Sequence, residues 1–270
     1  MRKFKLDSIF TRRDSEEEKP QRKEIGGVLA VWGSPGSGKT TVAVKLAKYL
    51  ADKKKNVALV LCDMTAPMLP CICPASELEC TRSLGSILAA AHVTAPLIKN
   101  NCVTHKRIPY ITILGMQRGE NEYSYPPCTQ QQVSELISDL RELAPYVIID
   151  CGSYIASDIL SAVSLMQSDS VLQLSNCNLK SASYFLSQLK TLKEHDWDED
   201  NLYGVISDVR PEQSAENMKS VIGSAAFTLT HSDELSQQYF AANLFANLCL
   251  KDSRPFRKEI EKICKEVFGV

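Results

Sequence analysis

Short runs of apolar residues alternate along most of this chain with longer segments whose apolar positions recur every three or four residues. The short runs are rich in β-branched residues and predict strands that are buried on both faces. The longer segments have the spacing of helices that bury one side. The predicted strands are residues 28–32, 57–61, 108–114, 147–149, 170–174, 202–206 and 226–229, and the predicted helices are residues 40–51, 130–143, 155–166, 182–192, 235–248 and 255–267.

Strands that alternate with helices of this length indicate βαβ units. We therefore expect an α/β fold, with a mainly parallel sheet flanked by helices on both faces, in one domain over residues 25–270. Residues 1–24 differ, because they hold eight basic and six acidic side chains and few apolar ones. This composition predicts a mobile charged arm, and a short basic membrane anchor is the alternative.

The loop after the first predicted strand carries a phosphate-binding motif. Residues 33–40 read Gly-Ser-Pro-Gly-Ser-Gly-Lys-Thr and match G-x-x-x-x-G-K-[ST] at every fixed position. Glycines let backbone N–H groups surround phosphate oxygens, the lysine reaches the β- and γ-phosphates, and the hydroxyl binds Mg²⁺. The expected nucleotide-binding residues of this loop are Gly33, Ser34, Pro35, Gly36, Ser37, Gly38, Lys39, Thr40 and Thr41.

A phosphate loop of this kind needs an acid at the end of a neighbouring strand to hold the Mg²⁺ shell. Asp150 and Asp63 each follow an apolar predicted strand. We expect both to act with Thr40 at the metal, and Lys39 and Asp63 to be the catalytic residues. An aspartate at a strand end can instead be a structural cap, and this alternative is stronger for Asp63.

Three further segments resemble the ParA/MinD group of P-loop ATPases, whose elements follow the same order over about residues 26–250. Residues 56–63 (NVALVLCD) are similar to the strand before its acidic switch, and residues 145–152 (PYVIIDCG) to its Walker B strand. Residues 204–208 (GVISD) are similar to the strand that presents an Asn to adenine, so Asp208 stands at the adenine position. A weaker likeness, in residues 83–88 and 110–114, is to the pilus-assembly branch, TadZ and CpaE.

The resemblance implies ATP and Mg²⁺ as cofactors and a homodimer that ATP joins face to face and hydrolysis releases. It also implies a protein partner in a positioning or assembly system. Membrane and DNA are surfaces that the family uses, but the net charge of −1 favours neither. No signal peptide and no membrane-spanning run is recognised, so we expect a cytoplasmic protein, with the inner membrane face as an alternative location.

Four positions depart from the family pattern. Ser34 replaces the signature lysine, Pro35 a glycine, Thr65 a second acid, and Asp208 the adenine-binding Asn. Because serine brings no positive charge, nucleotide binding is predicted more firmly than hydrolysis. The alternative function is therefore a nucleotide-binding scaffold with little turnover, for example in pilus or secretion-system assembly. A small-molecule kinase is disfavoured, since no Arg-rich lid segment is found.

Two segments leave an alternative open. Cys71, Cys73 and Cys80 suggest a metal site, but they lack paired C-x-x-C spacing, which favours simple loop thiols. The last predicted helix has one apolar stripe, as a membrane-targeting helix has. Mixed charges on its polar side favour packing against the core instead.

Overall fold

The structure, a computed structural model, describes residues 26–80, 82–193 and 201–270. The predicted arm, residues 1–24, lies outside the described residues. The described strands are β1 Gly27–Gly33, β2 Val57–Leu61, β3 Val103–His105, β4 Ile108–Leu114, β5 Tyr146–Asp150, β6 Ser170–Asn176, β7 Leu202–Val209 and β8 Phe227–Thr230. The described α-helices are α1 Lys39–Asp52, α2 Leu69–Ile72, α3 Leu84–Leu88, α4 Ala95–Asn101, α5 Gln130–Leu143, α6 Ile159–Gln167, α7 Leu179–Lys193, α8 Ala215–Ile222, α9 Asp233–Phe240 and α10 Arg254–Phe268.

The strands form one sheet in the order β3-β4-β2-β5-β1-β6-β7-β8. Every neighbouring pair is parallel except β3 with β4. This confirms the predicted α/β class with its mainly parallel sheet. The chain leaves β1 toward β2 on one side and later crosses to β6 on the other. In such sheets, ligands bind beyond the carboxyl ends of the strands near this crossing point.

Each face of the sheet packs against its own layer of helices. The side chains of β1 alternate between them, with Leu29 and Val31 on the face covered by α1 and α10, and Ala30 and Trp32 on the other. Trp32 is fully buried and meets Tyr184 and Phe185 of α7, with ring centroids 5.9 and 5.6 Å apart. The carboxyl end of β1 is therefore held rigidly between two packed layers.

The last helix packs against the core, as its mixed charges predict. Its stripe is buried at Phe256, Ile260, Ile263, Cys264 and Phe268, and the Phe268 ring meets Tyr146 of β5. Among the described residues, no helix is both long and apolar enough to cross a membrane.

Several predicted boundaries are wrong. The helix predicted over residues 235–248 ends at Phe240, because Ala242 has a φ of 49° and Leu244 N–H bonds to the Ile72 carbonyl instead of continuing the helix. The helix predicted from residue 155 begins only after Asp158, whose side chain accepts from Ser161 N–H and caps the first turn. Strand β3 and helices α2, α3, α4 and α8 have no counterpart in the prediction, since they are short or weakly periodic.

Candidate nucleotide-binding site

The phosphate loop leaves the carboxyl end of β1 and leads directly into α1. Gly36 and Gly38 have φ values of 77° and 81°, a left-handed conformation that favours glycine. Gly33 lies so close to β6 that a Cβ atom would be 2.1 Å from the Leu174 carbonyl oxygen. Backbone conformation at Gly36 and Gly38, and close packing against β6 at Gly33, therefore favour glycine at these three positions.

Lys39 begins α1, and its side chain turns back across the loop. Its ammonium donates to Ser153 Oγ at 2.6 Å and to the Ser34 carbonyl at 3.4 Å. Burial lowers the pKa of Lys39, while the nearby charges of Asp150 and Asp63 oppose this shift. The ammonium is thus enclosed, with neutral oxygens as its hydrogen-bond partners.

Thr40 and Asp150 meet at the centre of the site. The Thr40 hydroxyl donates to Asp150 Oδ2 at 2.5 Å, and Asp150 is only 2% exposed. Within the described part of the chain, Oδ1 of Asp150 is buried without a hydrogen-bond partner. Burial raises the pKa of Asp150 to about 7, against the opposing effects of the Thr40 hydrogen bond and the Lys39 charge. An acceptor atom without a donor in such a place is costly unless a ligand or ion pairs with it.

Asp63 follows β2 and is half-buried beside the loop. Its Oδ1 accepts from the backbone N–H groups of Thr65 and Ala66 at 3.0 and 2.8 Å. The structural cap considered from the sequence is therefore present. Asp63 also lines both of the cavities that flank the phosphate loop, so the cap does not remove it from the site.

Ser34, at the position of the signature lysine, turns into the protein. It is fully buried, and its Oγ forms a 2.7 Å hydrogen bond with Ser181 Oγ of α7. The Ser181 hydroxyl also accepts from Asn176 N–H at 3.3 Å. Helix α7 makes a second connection, because Tyr184 donates its hydroxyl to the Ser153 carbonyl at 2.5 Å. Sequence reasoning missed Ser153 and Ser181, which no motif marks.

Two cavities open around this loop. The first, of about 500 Å³, brings together six predicted residues of the loop and the two predicted acids Asp63 and Asp208. Its predicted lining residues are Gly36, Ser37, Gly38, Lys39, Thr40, Thr41, Asp63 and Asp208, and its walls include the unpredicted Ser207, Tyr239 and Phe240. The second, of about 760 Å³, includes Pro35 and Asp150. Gly33 and Ser34 line neither cavity.

The three cysteines considered as metal ligands line neither of these two cavities. Cys71 donates weakly to the Pro67 carbonyl, and Cys80 to the Cys102 carbonyl. Cys73 is buried, which raises its pKa to about 12. Over the described ranges, His, Cys, Asp and Glu side chains form no group of three that could hold a metal ion.

The parallel sheet, the glycine loop and the Lys39–Thr40–Asp150 arrangement define a P-loop nucleotide-binding fold. Residues 28–236 match the CobQ/CobB/MinD/ParA nucleotide binding domain family (CbiA). This chain belongs to that family, which confirms the ParA/MinD resemblance, whereas the likeness to TadZ stays a prediction. A comparison with curated proteins gives no match.

Solved structures share the fold at low sequence identity. A ParA family ATPase from Chlorobium tepidum TLS is 16% identical, with a TM-score of 0.73 over 88% of this chain and 98% of that one. MinD of Pyrococcus horikoshii OT3, complexed with Mg-ADP, is 14% identical, with a TM-score of 0.70 over 88% and 96%. An aspartate-to-alanine variant of Cyanothece McdA with ATP is 18% identical, with a TM-score of 0.66 over 92% and 98%.

Proposed function

We propose that this chain is a nucleotide-dependent switch, which binds Mg²⁺ and a nucleoside triphosphate on the loop from Gly33 to Thr41. Binding pairs two copies face to face, and the pair serves a positioning or assembly system. ATP is the triphosphate that the family resemblance implies. The similar MinD and McdA structures, with Mg-ADP and ATP respectively, support a nucleotide as the ligand.

The observation that carries the proposal is the buried Asp150 carboxylate. One oxygen accepts from Thr40, and the other has no partner among the described residues. A hydroxyl and a carboxylate are the oxygen ligands that Mg²⁺ prefers, and Mg²⁺ keeps several waters and takes phosphate oxygens beside them. Thr40 and Asp150 would hold the ion, which would neutralise charge on the phosphates, while Asp63 faces the same space.

On nucleotide binding, phosphate oxygens would replace the present hydrogen-bond acceptors of the Lys39 ammonium. Its present acceptors are a serine hydroxyl and a carbonyl, both neutral. Phosphate oxygens, which carry negative charge, would give the buried ammonium stronger charge-assisted hydrogen bonds. The exchange would free Ser153, whose hydroxyl also donates to the Gly33 carbonyl at 2.9 Å. Binding would therefore change the contacts of the segment after β5, as a switch requires.

The second cavity supports pairing through this face. It lies on the side of the loop that carries Pro35, and its rim includes Tyr123 and Tyr154, whose residues are 88% and 72% exposed. Aromatic side chains are enriched on surfaces that a protein partner covers. A second copy of the chain would bury them.

A nucleotide-binding scaffold with little turnover is the second candidate function. It is favoured by Ser34, which is buried against Ser181 and offers no positive charge to the phosphates. Hydrolysis gains from cations placed where charge develops in the transition state. The two functions differ in the fate of the bound triphosphate, which a scaffold keeps intact.

The Lys39→Ala variant tests the proposed binding directly. We expect its affinity for Mg²⁺-nucleotide to fall at least about 100-fold, because the only lysine of the loop is removed. Isothermal titration with triphosphate measures this. Lys48→Ala, on the same helix but outside both cavities that flank the loop, is the matched control and should bind as the wild type does. Unchanged binding by Lys39→Ala would overturn the proposal.

A further inference from the structure

A third cavity, of about 640 Å³, lies between α1, α10 and residues 246–249. It shares Phe256 with the first cavity and includes no residue of the phosphate loop. Its charged lining residues are the acids Asp52 and Glu261 and the bases Lys45, Lys48, Arg254, Arg257 and Lys258. Asp52 is paired with Lys48 at 2.5 Å, so one lining acid is left for four lining bases. This excess of positive charge, in a chain whose net charge is −1, favours an anionic ligand.

Three of these bases lie near the amino-terminal end of α10. Arg257 and Lys258 follow Arg254 by three and four positions, so the three are neighbours on the helix surface. Like charges at this spacing lower helix stability, and so do cations at this end of the helix dipole. The first turn holds no acid that would offset them. An anion in the cavity would reduce this repulsion.

Lys45 adds a buried ammonium to the same cavity. The residue is 5% exposed, and it donates to Gln238 Oε1 at 2.5 Å and to the Ala246 carbonyl at 2.8 Å, both of which are neutral acceptors. An ammonium has three N–H donors, so one remains beyond these two bonds. Burial lowers the pKa of Lys45 to about 7. An anion beside the ammonium would favour its charged form.

We propose that this third cavity binds a small phosphate-bearing anion, either inorganic phosphate or the phosphate group of a small ester. A phosphate group brings up to about two negative charges and three acceptor oxygens, whereas a carboxylate brings one charge and two oxygens. It therefore balances several cations better, and guanidinium groups match its oxygens in pairs. The cavity has the volume of a small-molecule site. The inference goes beyond the proposed function and does not rest on it.

Titration of the full chain with inorganic phosphate and with glycerol phosphate, followed by calorimetry, tests the inference. Lys39→Ala is the parent for all titrations, so that phosphate on the loop does not contribute. We expect the parent to bind one phosphate, and the double variant Arg254→Gln/Arg257→Gln to bind it at least about tenfold more weakly. Tighter binding of glycerol phosphate would assign the site to an ester, and tighter binding of inorganic phosphate to the free anion.

Lys265→Gln is the matched control, because it removes a charge from the same helix outside the cavity. It should bind phosphate as the parent does. Lys45→Met separates a cavity from general attraction by surface charge, since the residue is almost inaccessible, and it should also weaken binding at least about tenfold. The exposed arginines keep the test valid if Lys45→Met does not fold.

No phosphate binding by the parent, or an equal loss of affinity in Lys265→Gln and the double arginine variant, would overturn the inference. Duplex DNA binding that the double variant loses, in a parent that does not bind phosphate, would assign the basic cluster to nucleic acid and overturn it as well. The affinity of the wild type for Mg²⁺-nucleotide is a separate measurement, so either proposal can fail without the other.

Discussion

At the scale of single residues, Lys45 is an unusual side chain outside the nucleotide site. It lies on α1, is 5% exposed, and donates to Gln238 Oε1 at 2.5 Å and to the Ala246 carbonyl at 2.8 Å. Burial lowers its pKa to about 7, and the nearby charge of Lys48 contributes in the same direction. The folded chain therefore releases this proton more easily than an unfolded chain, where lysine titrates near pH 10.4.

This difference predicts a pH dependence of stability. Between about pH 7 and 10 the unfolded chain binds the Lys45 proton and the folded chain has lost it, so the free energy of unfolding rises with pH. The rise is about 4 kcal/mol at most. Lys45→Met should remove this part of the slope in urea unfolding measured from pH 7 to 10. Lys48→Met, which loses an ion pair with Asp52 and removes the smaller cause of the shift, should keep most of the slope, because burial is the larger cause. Equal slopes in the wild type and Lys45→Met would refute the assignment.

The sequence predicts some residues of the candidate site and not others, for a physical reason. Lys39, Thr40 and Asp150 belong to local patterns whose chemistry requires a fixed spacing. The partners of Ser34 and Lys39 are serines 147 and 114 residues away, brought together only by the order of the strands. Serine is common and has many structural roles, so its type carries no signal. The sequence alone therefore could not predict that the Ser34 side chain points into the protein.

At the scale of elements, the segment after α9 shows where periodicity misleads. The sequence predicts a helix over residues 235–248, in whose last part Leu244 and Leu248 have the four-residue spacing of a helix. The chain instead turns at Ala242, so that Leu244 is buried against the core and its N–H pairs with Ile72. A buried contact elsewhere in the protein outweighs a local preference. By contrast, the strands next to the loop are predicted well from the sequence. They are buried on both faces, and this makes them uniformly apolar.

The turn after α9 provides a test at this scale. Ala242 has a φ of 49°, which strains a residue with a Cβ atom. Ala242→Gly should therefore raise the free energy of unfolding by about 0.5–1 kcal/mol, after the entropy cost of glycine in the unfolded chain. Ala241→Gly, at an ordinary φ of −85°, should lower it by a similar amount. Urea denaturation of both variants measures the pair, and a loss of stability in Ala242→Gly would contradict the strained turn.

At the scale of the whole molecule, the two cavities lie side by side at the carboxyl ends of the strands and share Lys39, Thr40 and Asp63. One cavity suits a nucleotide, and the other opens beside exposed aromatic side chains. A nucleotide in the first would therefore form part of the surface that a second copy meets. Because the two cavities share these residues, we expect the pairing of two copies to depend on the bound nucleotide.

Light scattering with Mg²⁺ and triphosphate tests that expectation. We predict that the mass doubles from the 30.0 kDa of one chain, and that Lys39→Ala stays a monomer under the same conditions. The nucleotide recovered from the whole sample after prolonged incubation distinguishes the two candidate functions: intact triphosphate indicates a scaffold, and conversion to diphosphate indicates a hydrolysing switch. A monomer in every nucleotide state would exclude face-to-face pairing.

The burial of Trp32 has a practical consequence. This indole directly precedes the phosphate loop and rests against Tyr184 and Phe185 of α7, the helix that also contacts Ser34 and Ser153. A shift of α7 relative to the loop would change the packing and polarity around the ring. The emission wavelength and quenching of a tryptophan depend on both. The molecule thus contains an optical reporter at the base of its ligand site, to which no label needs to be attached.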